Sequence, residues 1–342
     1  MMTYELSLTP DYRSHWEPED AIREILQNAL DDMSTFEYSL EGGSITLKSC
    51  GVTLDKTTLL LGNTSKKDED DSVGGFGEGY KIGLLILIRE GYNVSIINGS
   101  KLWTPVLKYS KTYDTDVLCI EEIEGHSGHN DLIFIISNVS EDMIETVKHN
   151  CLYLQDLPEE SIIETDMGRI LKDEVGKLYV GGLFVNTTRL RYSYDFHPKH
   201  LQLNTDRKTV ADWDLNMATS NMWNLAVEGG SVDPDFIAKE LLDKCPDMNH
   251  LRYTTFSEEI KESCFELYKK TYGENTAIVT DHYDKESLEE QGYKGIKVSG
   301  SSAFVDVVKK SDSYNRQPFD KKEVEEVESP LQLIKDWFEA HE

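Results

Sequence analysis

Two hydrophobic periods alternate along this chain. From Pro18 the apolar residues Ile22, Ile25, Leu26 and Ala29 fall at helical spacing, and Pro18 followed by Glu19 and Asp20 is a helix start. The pattern predicts a helix over 18–32. Its polar residues keep a period too: Glu24, Asn28 and Asp31 recur at i, i+4 and i+7, stacking a carboxylate, an amide and a second carboxylate on the opposite face. Such a face is either simply solvated or able to hold a metal and a water. Period-two or continuous apolar runs at 3–8, 44–48, 92–97, 102–107, 117–124 and 132–137 predict strands, with helices at 54–61, 82–88 and 141–152 between them. The first 150 residues therefore predict an α/β fold of the α+β sandwich kind, helices on one face of a mixed sheet.

Further along, Leu178 to Val185 is broken by Gly181-Gly182, a hairpin signal. Helical patterns follow at 213–227, 234–244 and 257–272, then short strands at 276–280 and 295–299 flank a helix at 285–291. This end predicts a small α/β region with a parallel strand pair. Pro330 opens an amphipathic stretch with Leu331, Leu333, Ile334, Trp337 and Phe338, which either docks on its own domain or captures a partner. The resulting division is 1–150, 151–235 and 236–342.

The charge narrows the function. A net charge of −28 over 342 residues repels nucleic acid from most of the surface and favours solubility or a basic partner, so direct nucleic-acid binding is disfavoured. An acidic surface could also mimic DNA toward such a partner. The five cysteines are widely spaced and lack CxxC pairs, which predicts reduced thiols rather than disulfides or zinc ligands. No apolar run has membrane-spanning length and no leader precedes the first strand, so a cytoplasmic protein without a membrane contact is expected.

The candidate chemistry comes from a second stretch. Residues 72–83 place Gly74, Gly75, Gly77 and Gly79 just ahead of an apolar helix, where backbone N–H groups can converge on phosphate oxygens. Alone this is a weak signal. Together, Glu24-x-x-x-Asn28-Ala29-x-Asp31 and, about forty residues later, Gly74-Gly75-Phe76-Gly77-Glu78-Gly79 resemble the GHKL superfamily of ATPases: gyrase, the ninety-kilodalton heat-shock chaperone, histidine kinases and MutL. The resemblance covers roughly the first 210 residues.

That resemblance implies a Bergerat-type ATP-binding domain, ATP and magnesium as cofactors, and a transducer-like domain after it. Glu24 would be the general base and Asn28 the magnesium ligand, while Asp31 would orient solvent or a neighbour. The amides around Gly74, Gly75, Phe76, Gly77, Glu78, Gly79 and Tyr80 would hold phosphates under a lid at 63–71, unless the charges there only solvate a loop, with Lys81 beside them or turned to solvent. Arg207 and Lys208 would reach the terminal phosphate from the second domain, unless they merely decorate a surface turn. Glu24 favours the gyrase and chaperone branch over histidine kinases, and an unidentified protein partner and a homodimer are implied. One departure stands out. Where the family carries an Asp-x-Gly-x-Gly turn for adenine, this chain has Ser49-Cys50-Gly51, so only Gly51 survives. Taking Ile133 and Ile135 as inward places Asp131 at the position of a family threonine, and the carboxylate and hydroxyl of Asp131 and Ser49 would then have exchanged strands. The alternative is that Asp131 only caps a turn. For the whole chain the runner-up function is an acidic interaction or inhibitor protein that keeps the fold without turnover.

Overall fold

A computed structural model describes residues 1–30, 35–60, 79–125, 130–201, 211–253, 256–279, 288–289, 292–296, 303–315 and 317. They fall into two compact units, one of residues 1–211 apart from 164–166, the other from Asp212 onward. The segment 151–235, read from sequence as one domain, gives its strands to the first unit and its long helix to the second.

The first unit is built on a seven-stranded sheet of β1 (Met2–Glu5), β2 (Phe36–Glu41), β3 (Ser44–Ser49), β4 (Asn93–Asn98), β5 (Lys101–Ser110), β6 (Thr115–Glu124) and β7 (Leu132–Ser137), in the order β1-β6-β5-β4-β7-β3-β2. Every neighbouring pair is antiparallel, so the large sheet is not the mixed one expected. For the pairs consecutive in sequence the reason is local. Gly42 and Gly43, at φ of 61° and 68°, make the two-residue turn that returns β2 into β3, and β4 to β5 is an equally short return at Gly99-Ser100. Short returns give antiparallel partners, whereas parallel ones need crossovers.

Alternation then sorts the side chains. Ile45, Leu47, Val94, Ile96, Trp103, Leu118, Ile120, Leu132, Phe134 and Ile136 form one buried cluster with α1 (Pro18–Leu30), α2 (Gly79–Arg89) and α3 (Glu141–His149). The helices thus cover one face, and the α+β sandwich expected from sequence is present. Ser140 starts α3 by accepting the Met143 N–H at 3.2 Å. Within β7 the buried set is Leu132, Phe134 and Ile136, while Ile133 and Ile135 are half-buried on the other face. The register taken from sequence is therefore shifted by one residue.

β1 pairs with β6 of its own chain, Met2 opposite Glu122 and Tyr4 opposite Ile120. Glu122, buried, anchors this edge: it accepts from Trp103 Nε1 at 2.8 Å and Tyr4 Oη at 3.3 Å, with Lys101 Nζ at 3.2 Å. Burial pushes its carboxyl up, but the Trp103 and Lys101 hydrogen bonds outweigh this and hold it below the usual carboxylate range. A depressed folded-state value contributes stability above the unfolded carboxyl range that is lost as pH falls through the folded value. The protection factors of the β1 amides, exchange rates divided into the intrinsic rate at each pH, should therefore fall below about pH 4, and Glu122→Gln should flatten that acid limb. Protection factors of the β1 amides that are the same at pH 5 and pH 3 in wild type would refute the anchor.

A second, five-stranded sheet follows, ordered β11-β10-β12-β9-β8, from β8 (Ile162–Thr165), β9 (Gly168–Leu171), β10 (Lys177–Val180), β11 (Leu183–Thr187) and β12 (Ser193–Phe196). The Gly181-Gly182 hairpin joins β10 to β11 as expected, and β10 with β12 is a parallel pair.

The second unit contains α4 (Asp212–Glu228), α5 (Pro234–Leu242) and α6 (Glu258–Tyr272). Thr219 and Ser220 hydroxyls on α4 both donate to the Asp247 carbonyl, at 3.2 and 3.1 Å, which fixes α4 to the 3-10 segment Pro246–Tyr253. The expected parallel pair is there, β13 (Thr276–Ile278) with β14 (Lys294–Ile296). The helix expected at 285–291 is described only at 288–289, and the stretch from Pro330 lies outside the described residues. No helix among the described residues is long and apolar enough to cross a membrane. None of the five cysteines forms a disulfide, and all but Cys50 are buried.

Candidate functional site

The contact between α1 and α2 organises the candidate site. Gly83 on α2 meets α1 so closely that a Cβ there would sit 2.8 Å from the Ala21 carbonyl oxygen. One turn earlier, at the first residue of α2, a Cβ on Gly79 would overlap the Glu24 carboxylate. Glu24 is therefore not on a solvated face: it is buried, and its carboxylate lies against the amino end of α2, where backbone N–H groups have no partner inside the helix. Four residues on, half-buried Asn28 donates its Nδ2 to the Glu24 carbonyl at 2.6 Å. That bond fixes the side chain against its own helix, one turn from Glu24.

Tyr80 and Lys81 hold the segment on the near side of the glycine run. Lys81 is fully buried, and its ammonium donates to the carbonyls of Thr58 at 2.7 Å and Leu60 at 2.5 Å. It does not snorkel. The Tyr80 hydroxyl donates to the same Thr58 carbonyl at 3.1 Å, and burial raises that phenol to about 12. Thr58 belongs to the 3-10 turn Lys56–Leu59, opened by Asp55, whose carboxylate accepts from Thr57 N. Lys81 thus ties the first turn of α2 to the 3-10 turn and to Leu60.

At the end of β3, Ser49 is buried and pairs with Leu132 on the helix-covered face. Asp131 lies on the other side. Its carboxylate accepts the Gly51 N–H at 2.8 Å and is 3.6 Å from Lys48 Nζ, and Lys48 points away from the helices because Leu47 and Ser49 point toward them. Gly51, at φ 71°, takes a left-handed conformation open to glycine, and the carboxylate satisfies its N–H. Asp131 thus shapes the turn across two strands, and the exchange with Ser49 across one face, inferred from the shifted register, has no geometric basis. The Lys48 ammonium is bound by Glu37 at 2.9 Å.

Sequence reasoning missed Asn98. Buried at the end of β4, it grips Leu54 through both main-chain groups, Oδ1 from the N–H at 2.8 Å and Nδ2 to the carbonyl at 2.9 Å, and so fixes the path from Gly51 to the 3-10 turn. In the sequence it reads only as a turn residue before Gly99. Asp31, Gly74, Gly75, Phe76, Gly77, Glu78, Arg207 and Lys208, all candidates from sequence, lie outside the described residues. The structure thus brings together Glu24, Asn28 and Gly79, and separately Ser49, Gly51 and Asp131.

No family model matches the chain. It is similar to an uncharacterized protein of Mycoplasma pneumoniae, 25% identical over 214 residues, which span 57% of this chain and 86% of that relative.

Proposed function

We propose that the first unit is a GHKL-type, Bergerat-fold ATP-binding domain that hydrolyses ATP slowly with magnesium. The observation that carries this reading is the Glu24 carboxylate held against Gly79 at the amino end of α2, immediately after the glycine run. That helix end offers N–H groups and positive dipole to the terminal phosphates. A carboxylate beside it is placed to orient and deprotonate an attacking water. The donor set suits a small hard cation: Asn28 Oδ1 is an oxygen ligand one helical turn from Glu24, and magnesium characteristically takes few protein ligands, completing its shell with phosphates and water. Bound there, the cation would neutralise charge on the phosphates. Lys81 and Tyr80 support the site indirectly, by fixing the base of the segment that the resemblance casts as a lid.

Titration calorimetry with ATP and magnesium, paired with a phosphate-release assay, tests the proposal on the full chain. Heat of binding with slow release is expected. A folded protein that gives no heat refutes it, and binding without release leaves the acidic interaction protein as the better description.

For adenine, the inward hydroxyl of Ser49 replaces the usual carboxylate, and Asp131 acts only through the Gly51 turn. Ser49→Ala should therefore raise the ATP Kd about three- to tenfold, the worth of one hydrogen bond of ~1 kcal/mol. Asp131→Asn should weaken ATP and GTP by the same factor. A loss confined to ATP in Asp131→Asn would show direct base contact and overturn this assignment. The proposed nucleotide-gated homodimer predicts a doubled mass by light scattering with a non-hydrolysable ATP analogue; an unchanged monomer would remove it.

A further inference from the structure

β2 ends the seven-stranded sheet, and among the described residues it pairs only with β3. Which of its main-chain groups are left over can be read from the register. The Gly42-Gly43 turn closes on the pair Glu41 and Ser44, and at the other end Cys50 N donates to the Thr35 carbonyl at 2.9 Å. Odd-numbered residues therefore bond to β3. Phe36, Tyr38 and Leu40 direct their N–H and C=O groups outward, and Tyr38 and Leu40 border a groove of about 950 Å³ whose far wall is the carboxyl end of α3 and the turn 154–156.

We propose that this groove binds an extended, basic segment of a partner protein, added to β2 as a further strand with α3 as the opposing wall. Main-chain bonds to Tyr38 and Leu40 would give affinity, and alternate side chains would give specificity. The apolar part of the lining is Leu40 and buried Leu154. The charged part is acidic: Lys148 and Glu145, paired at 2.8 Å, offset each other, which leaves the carboxylates of Glu41 and Asp156 beside His149. A segment alternating basic and apolar residues complements both. A second copy of the chain does not, because strand pairing of β2 with β2 would put the Glu37 and Glu41 rows of two molecules, each of charge −28, on one ribbon. This inference is independent of the nucleotide site.

The test titrates a fluorescent peptide of alternating lysine and valine into the full-chain protein, beside two controls: the same peptide N-methylated at every second backbone nitrogen, and one with glutamate for lysine. Saturable binding is expected, at least tenfold weaker for both controls, with slowed amide exchange at Tyr38 and Leu40. Tyr38→Pro removes one outward N–H and leaves the bonds to β3, so it too should weaken binding about tenfold. Equal affinity for the N-methylated peptide would reduce the effect to charge attraction and overturn strand addition. Absence of binding, or protection away from β2, would do the same, and the peptide controls decide the matter even where Tyr38→Pro fails to fold.

Discussion

Glu24→Gln should bind ATP with magnesium as wild type does and lose turnover by a factor of about 10²–10⁴, the usual contribution of a positioned general base. The glutamine keeps the volume that packs against Gly79, so the α1–α2 contact survives and the loss reports chemistry. Glu24→Ala should lose the same turnover. The geometry adds a sharper expectation through Gly79, whose Cβ would fall on the carboxylate. Gly79→Ala must push Glu24 aside, so it should also depress turnover in the wild-type background. In a Glu24→Ala background the added methyl makes only an ordinary contact, 3.6 Å from the Cβ of residue 24, and should cost nothing further. Such non-additivity is what a shared contact predicts. Phosphate release measured for the four proteins of this cycle decides it: additive losses, or normal turnover in Glu24→Gln, would show that the base is elsewhere.

What was legible in the sequence follows from how much of each element its own neighbours determine. α1 was readable because its start and its apolar stripe are both local signals, and the β2–β3 and β10–β11 hairpins because glycine pairs announce their turns. The parallel β13–β14 pair could be inferred from the helical stretch between its strands. β12 could not: all four of its residues are buried, so no alternation marks it, and β8 and β9 are equally short. The register of β7 failed for a related reason. Leu132-Ile133-Phe134-Ile135-Ile136 is apolar at both parities, and only pairing with β3 and β4 shows which set meets the helices. In the site, the spacing of Glu24 and Asn28 placed both on one helix face, but their face was read as open to solvent or ligand alone, and the covering by α2 depends on a glycine fifty-five positions away. Asn98 and Lys81 were misread or missed because the main-chain groups they bind belong to residues distant in sequence, Leu54 for one and Thr58 and Leu60 for the other.

Lys81→Met should be the most damaging conservative change in the first unit. Methionine fills much of the volume of the lysine stem, so packing is largely kept, while the two carbonyls that the ammonium serves lose their donor. An orphaned buried acceptor costs about 1–3 kcal/mol, but Thr58 retains the Tyr80 hydroxyl and Leu60 is exposed enough to recover water, so a loss of roughly 2 kcal/mol is expected in denaturant unfolding. Tyr80→Phe alone should cost less, since Lys81 still serves Thr58. Combined with Lys81→Met it leaves the Thr58 carbonyl with neither donor, and the double variant should fall below the sum of the singles. Function separates this from a generic core defect. Because Lys81 joins Thr58 and Leu60 to the first turn of α2, beside Gly79, Lys81→Met should weaken ATP binding tenfold or more at temperatures where the variant is fully folded, whereas a comparably destabilising truncation outside the core cluster that includes α1 and α2, Ile163→Ala, should leave the Kd unchanged. Equal ATP affinity in folded Lys81→Met and wild type would restrict Lys81 to stability and detach the segment it anchors from nucleotide binding.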